Sequence, residues 1–448
     1  MHFSFYEPNT AHVRPLSPKK YCKLQKKVYN NRLCGLQYYI HFMKGKSIMN
    51  IFKKAYCRVF QFGFRAAMPL LPYKRPIHLD GIKSIPDALK TEGINSVLLV
   101  TDASIYSLNL TKPLEELLAS KGIKVTVYNK TVANPTNINV EEARQLYIDN
   151  NCTGLIGFGG GSSMDCAKAV GARIAKPKKT LSQMKGVMKV RCKIPPLFAV
   201  PTTAGTGSET TVAAIITDAE TRHKYCINSF PLIPKYAVLE AEVTKSLPPH
   251  ITASTGMDAL THAVEAFIGG STTKETRHDA TEAVGLIFEN LYKVYENGSD
   301  LEARQKMLYA SFLAGNAFTK SYVGYVHAIA HSLGGKYNTP HGVANAVLLP
   351  YLLEAYGSKI YKKLHTLAIA AKCADENDTD ESAAKKFIEA IKKMQVDFKI
   401  GNTIKGIDKN DIPTLAKYAD KEGNPLYPVP VLMNAKELEA FYYMVMEK

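Results

Sequence analysis

The chain changes character at Pro248-Pro249. Before that pair, short apolar runs alternate with amphipathic stretches; after it, only helical periodicity continues. Ser96–Val100 (SVLLV), Lys124–Tyr128, Gly154–Phe158 and Leu197–Val200 read as buried strands, and Val140–Asn150 (VEEARQLYIDN) as a helix among them. Short apolar strands separated by helices predict a parallel sheet with crossover helices. Beyond the proline pair, helices are expected over 250–268, 276–295, 301–320, 324–335, 342–356, 358–374 and 380–396. The chain is therefore expected to carry an α/β domain at 76–247 and an all-helical domain at 248–448.

A formal net charge of +17 raises nucleic acid as a partner, but the charge is localised. Residues 1–79 hold 15 Lys or Arg against one acid, Glu7, leaving 42 basic and 39 acidic residues beyond. The body is nearly neutral, which argues against nucleic-acid binding there. Residues 1–48 form a basic extension with no hydrophobic period, expected to be unstructured or to lie upstream of a start at Met49. The extension lacks the apolar stretch of a signal peptide, and it is poor in the Ser of a transit peptide. Within 49–75, a basic amphipathic helix is expected, with Ile51, Phe52, Ala55, Val59, Phe62 and Phe64 interleaved with Lys53, Lys54, Arg58 and Arg65, and ended by Pro69 and Pro72. Such a helix can lie on an anionic membrane. Packing on its own domain or on a second subunit is the favoured reading. Eight scattered cysteines form no Cys-x-x-Cys pair, and the thiols are read as free in a reducing compartment, the cytoplasm. No apolar run approaches the length of a membrane-spanning helix.

Two segments suit a nucleotide. Gly159-Gly160-Gly161-Ser162 lies between a strand and a helix, where glycines let the backbone approach a phosphate at the helix N-terminus. The acid usually found about 20 residues further on in a dinucleotide fingerprint is missing, because 178–191 is Lys-rich. Pro201–Ser208 (PTTAGTGS) follows another strand and supplies hydroxyl and backbone donors; a self-capped polar turn is the competing reading. Asp102 ends a third strand, where a carboxylate can hold ribose hydroxyls or cap the next helix.

Asp258 and His262 are spaced i, i+4, which puts them on one helical face with Glu265. His327 and His331 repeat the spacing, and His341 follows just before a new helix. Asp258 and the four histidines suit a divalent metal, and spacing alone does not exclude any of the five. Ala328 follows His327, so this is not the His-Glu-x-x-His of a zinc protease. No Cys joins the set, which disfavours a deaminase.

GGGSSMD (159–165), PTTAGTGSE (201–209), GMDALTHAVEAF (256–267) and HAIAHSLGGKYNTPHGVANAVLLP (327–350) together resemble the iron-containing (group III) alcohol dehydrogenases, from about Asp80 to the C-terminus. The resemblance implies an α/β dinucleotide-binding domain and an all-α metal-binding domain, the dehydroquinate synthase-like architecture, with the active site in the cleft. It implies Asp258, His262, His327 and His341 as ligands of Fe2+ or Zn2+, and His331 as a proton-transfer group beside them. It implies NAD contacts at Asp102, Asn134, Gly160, Gly161, Ser162, Asp165, Thr202, Thr203, Thr206 and Lys224. The implied reaction is reversible hydride transfer between an alcohol and NAD, with the metal as Lewis acid, in a homodimer or larger oligomer. Glycerol dehydrogenase-like polyol oxidation is the alternative on this fold. Dehydroquinate synthase chemistry would need more cations than 256–267 supplies. A membrane or nucleic-acid binder acting through the basic N-terminus is the alternative from another class. Departures from the family pattern fall at Leu239-Glu240-Ala241 and at Asn424-Pro-Leu-Tyr-Pro-Val-Pro430, beside the implied substrate cleft.

Overall fold

Nine strands, all before Pro248, are present among the described residues: β1 (Ile77–Asp80), β2 (Ser96–Asp102), β3 (Lys124–Thr131), β4 (Gly154–Gly159), β5 (Gly186–Val187), β6 (Leu197–Pro201), β7 (Ala213–Thr217), β8 (Lys224–Asn228) and β9 (Tyr236–Leu239). The structure is a computed structural model, and it describes residues 49–447; the basic extension at 1–48 lies outside them. Six strands form one sheet in the order β1-β9-β6-β4-β2-β3, with every neighbouring pair parallel. A parallel sheet needs both faces covered, and β2 shows how the sequence meets that need. Val97 and Leu99 enter one apolar cluster with the helices Ile85–Thr91 and Lys112–Ser120, while Leu98 and Val100 enter another with Asn137–Asp149 and Gly161–Ala175. The short sheet β5-β8-β7 packs over the second face.

The strand order locates the ligand crevice. From β2 the chain crosses to β3 at one edge, then returns to β4 on the other side of β2. Loops leaving the C-terminal ends of β2 and β4 therefore diverge, and the gap between them is a topological switch point. Asp102 ends β2 and Gly159 ends β4.

Beyond Pro248 the chain is helical, and the described residues pack as one compact unit. The helix Pro249–Ile268 starts with a proline in its first turn, where a fixed φ suits the helix and no N–H is lost. It is buried on nearly every side from Thr252 to Ile268, as expected of a helix apolar all round. Lys274–Glu296, Leu301–Ser321 and His341–Tyr356 enclose it. Two helices of this half, Ile412–Gly423 and Ala435–Val445, lie outside the sequence expectation.

The N-terminal helix runs Ile51–Ala67 and passes into a 3-10 turn at Met68–Leu70. Asn50 caps it by accepting the Phe52 N–H at 2.8 Å.

Candidate active site

The switch-point loops form a cradle built mostly of backbone. Gly159 has φ +148°, a region closed to other residues, and a Cβ there would sit 2.5 Å from Ser163 Oγ. The helix Gly161–Ala175 that follows has no side-chain cap, so its first N–H groups face outward. Thr203 and Thr206 stand opposite: Cβ atoms built on Gly160 and Gly161 would meet them at 4.0 and 3.4 Å. The Thr203 hydroxyl is buried and has no protein partner, as a hydroxyl waiting on a ligand would. Thr202 donates its backbone N–H to the Gly159 carbonyl at 3.0 Å and ties the two loops together.

The other sequence candidates surround this cradle. Asp102 accepts the Ile105 N–H at 2.9 Å through Oδ1 and so caps the helix Ala103–Ser107. Its Oδ2 accepts from Ser163 Oγ at 3.4 Å. Ser162 donates to the Ala133 carbonyl at 2.5 Å, and Lys224 donates to Asn134 Oδ1 at 3.0 Å, which brings Asn134 and Lys224 to one rim. Asp165 turns inward and accepts from Ser208 Oγ at 2.9 Å and from the Ile215 N–H at 3.0 Å. Lys168, wholly buried, donates to Ser208 Oγ, Thr211 Oγ1 and the Ala213 carbonyl. Asp165 and Lys168 thus brace the 201–211 loop from behind, a role for Lys168 that no sequence signal suggested.

The histidine cluster is built of side chains from three helices. Asp258 and His262 project from one face of Pro249–Ile268. His327 comes from Tyr325–Tyr337, which ends on Asn338 in the left-handed conformation at φ 53°. Pro340 then starts a new helix whose first residue is His341. Gly342 permits the approach, since a Cβ there would lie 2.3 Å from the Ser254 carbonyl oxygen of the central helix. The result places one potential ligand atom from each of Asp258, His262, His327 and His341 within 4.8 Å of all the others.

Hydrogen bonds orient the rings. His327 Nδ1 donates to Glu265 Oε2 at 2.6 Å, and His262 Nδ1 donates to the Gly205 carbonyl at 3.3 Å, so in both Nε2 is the unprotonated nitrogen. His262 is stacked between Phe318 and His327, with ring centroids at 4.2 and 4.5 Å. Burial pushes His262 down to about 4 and His341 down to about 3, and holds His327 well below the usual imidazole range. Burial also raises Asp258, and it raises Glu265 to about 7, partly offset by backbone N–H donors. Neutral imidazoles beside a carboxylate are the donor set of a divalent transition metal.

Asn345, one turn beyond His341, was not a candidate from the sequence. Its Nδ2 lies 2.6 Å from Asp258 Oδ1, 3.1 Å from His327 Nε2 and 3.0 Å from His341 Nε2. One amide nitrogen has two hydrogens and cannot satisfy three acceptors. Its Oδ1 is buried without a partner. Acceptors converging in this excess suit a cation at their centre.

His331 stands apart from the four. Its Nδ1 donates to Glu422 Oε1 at 2.6 Å, and the Tyr427 hydroxyl donates to the same oxygen at 2.8 Å. Desolvation pulls the His331 imidazole down, but the Glu422 carboxylate outweighs it and the net shift is upward. The stacked His331 and His341 rings are 5.1 Å apart, so the charged pair borders the cluster. Glu422 and Tyr427 were invisible as site residues in the sequence, because nothing local links them to a histidine 91 positions away.

Sequence profiles decide the family. That of iron-containing alcohol dehydrogenase matches residues 77–241, and that of the Fe-containing alcohol dehydrogenase family, C-terminal, matches 252–446. The chain belongs to the iron-containing alcohol dehydrogenase family. It is 36% identical over 371 residues to the 1,3-propanediol dehydrogenase of Klebsiella pneumoniae, covering 81% of this chain and 94% of that protein. It is 35% identical to the NAD-dependent methanol dehydrogenase of Bacillus methanolicus, covering 78% and 92%. The crystal structure of a 1,3-propanediol oxidoreductase superposes with a TM-score of 0.80 at 34% identity, covering 84% of this chain and 99% of the other. As an iron-containing alcohol dehydrogenase, the chain is an oxidoreductase acting on CH–OH groups, with a parallel α/β domain followed by a helical one.

Proposed function

We propose that Asp258, His262, His327 and His341 hold one divalent metal, that the switch-point cradle binds NAD, and that the pair interconverts a small alcohol and its aldehyde or ketone. The observation that carries this reading is the convergence of the four ligand atoms within 4.8 Å. Iron is the assignment supported by the family, and the same donors accept Zn2+. NAD is supported by the methanol dehydrogenase relative and by Asp102, whose carboxylate ends β2 at the switch point and would repel a 2′-phosphate.

When bound, the metal supplies Lewis acidity toward the alcohol oxygen and the nicotinamide supplies the hydride acceptor. The chain's own residues do the rest. Glu265 and the Gly205 carbonyl fix the tautomers of His327 and His262. Gly160, Gly161, Ser162, Thr202, Thr203 and Thr206 bring backbone and hydroxyl donors to the dinucleotide phosphates, with Asn134 and Lys224 at the rim. Asp165 acts by holding the 201–211 loop through Ser208. His331, held by Glu422, moves the proton released from the alcohol toward solvent.

The cytoplasm is the compartment this reading assigns. Support comes from six free cysteines among the described residues and from the lack of any described helix long and apolar enough to cross a membrane. Assembly into dimers or larger oligomers belongs to the same reading and is measured by sedimentation.

The test is anaerobic purification, metal analysis, removal of metal by chelation and reconstitution with Fe2+ or Zn2+, while nicotinamide absorbance is followed across a panel of alcohols and aldehydes. Activity should vanish with the metal and return with one of the two ions. Undiminished turnover by the metal-free protein would sink the assignment.

A further inference from the structure

The helix Ile51–Ala67 is mounted with its apolar side outward. At 100° per residue, Ile51, Phe62, Ala55, Val59, Phe52 and Tyr56 fall in one arc of about 140° that contains no charged side chain. This arc faces solvent: Ile51 is 74% exposed, Phe52 80%, Val59 71% and Phe62 74%. The inward side is polar. Gln61 donates to the Pro425 and Tyr427 carbonyls, Arg58 to the Val429 and Pro430 carbonyls, and Lys53 pairs with Asp420 at 2.9 Å. These bonds fix the rotation of the helix, so the apolar arc cannot turn in to the core. A contiguous exposed apolar strip of this size marks an interaction surface.

Charge selects the occupant. Residues 49–79 carry six Lys or Arg and no acid; Arg65 borders the arc, while Lys53 and Arg58 at its edges are tied to Asp420 and to the Val429 and Pro430 carbonyls. A second copy of the chain meeting this face about a two-fold axis would set the same cations against themselves. Residues 1–48, with nine Lys or Arg and one acid, would also bring like charge. An apolar strip flanked by cations complements a surface that is apolar inside and anionic at its rim. We propose that this helix seats the enzyme on an anionic lipid bilayer, with Phe52, Val59 and Phe62 in the acyl boundary and Arg65 at the headgroup phosphates.

The test is flotation of the full-length, metal-loaded chain with phosphatidylcholine vesicles, with and without about a quarter phosphatidylglycerol. The enzyme should float with the anionic vesicles, and Phe52→Glu/Phe62→Glu should reduce the bound fraction by about tenfold or more while leaving alcohol oxidation in solution unchanged. The chain has no Trp, so Val59→Trp gives a single reporter whose emission should shift to the blue on anionic vesicles alone. Three results would overturn the proposal: wild type left in solution with both vesicles, equal flotation of the double variant, or a wild-type dimer that the double variant converts to monomer.

Discussion

The two halves of the candidate site are made of different material. In the α/β half the cradle is backbone: free N–H groups, a glycine at φ +148° and threonine hydroxyls presented by loops at strand ends. In the helical half the cluster is side chain: four groups from three helices, with the His327 and His262 rings set by hydrogen bonds behind them. A backbone site is damaged by added atoms and a side-chain site by removed ones. Substitutions of opposite kind should therefore separate cofactor binding from metal binding.

The largest expected effect is on the side-chain half. His341→Ala should cost about 10³-fold or more in turnover and release the metal, while NAD affinity, read by fluorescence titration, stays near wild type. Equal loss of NAD affinity would show that the halves are not separable. Acid provides a second route to the same end. A proton on a ligand imidazole takes the lone pair the metal needs, so metal should remain bound at about pH 6, where a free imidazole already protonates. It should leave only at lower pH, because burial holds the ligand imidazoles below the usual range and a bound metal competes with the proton. Metal content after desalting at each pH checks this, and release complete by about pH 6 would contradict the burial that lowers these groups.

The backbone half should answer to a methyl group. Gly159→Ala puts a Cβ against Ser163 in a conformation restricted to glycine, at a cost of about 1–3 kcal/mol. NAD affinity should fall by roughly 10- to 100-fold with metal content unchanged. The smallest effect is expected at the border of the two halves. Glu422→Ala frees His331 and should lower kcat by about tenfold with little change in KM for NAD, and Glu422→Gln, which keeps an acceptor, should recover most of it. Equal loss in both variants would assign Glu422 a role other than orienting the ring.

The same contrast explains what could be read before the structure. The four residues proposed as ligands were legible as a group because helical spacing puts Asp258 beside His262 and because motif resemblance covers His327 and His341. Strand ends rich in glycine and threonine were legible for a similar local reason. Spacing left His331 among the ligand candidates, and in the structure its Nδ1 is paired with Glu422 while its ring borders the four-residue cluster. Asn345 shares the i+4 spacing from His341, but an amide is not a ligand type and drew no notice. Glu422 and Tyr427 depend on a contact across 91 positions and on a proline-rich segment with no periodicity. Asp165 carried a family role at the cofactor, yet its carboxylate is committed to Ser208 and Ile215, a pairing set by the tertiary fold.

Gly342 carries a lesson for engineering. Its missing side chain lets one helix rest against the Ser254 carbonyl of another, and the distance between those helices puts His341 3.5 Å from Asp258. Transplanting the four proposed ligands to another scaffold would reproduce the donors without the spacing. A designer would have to copy the helix contact before copying the histidines.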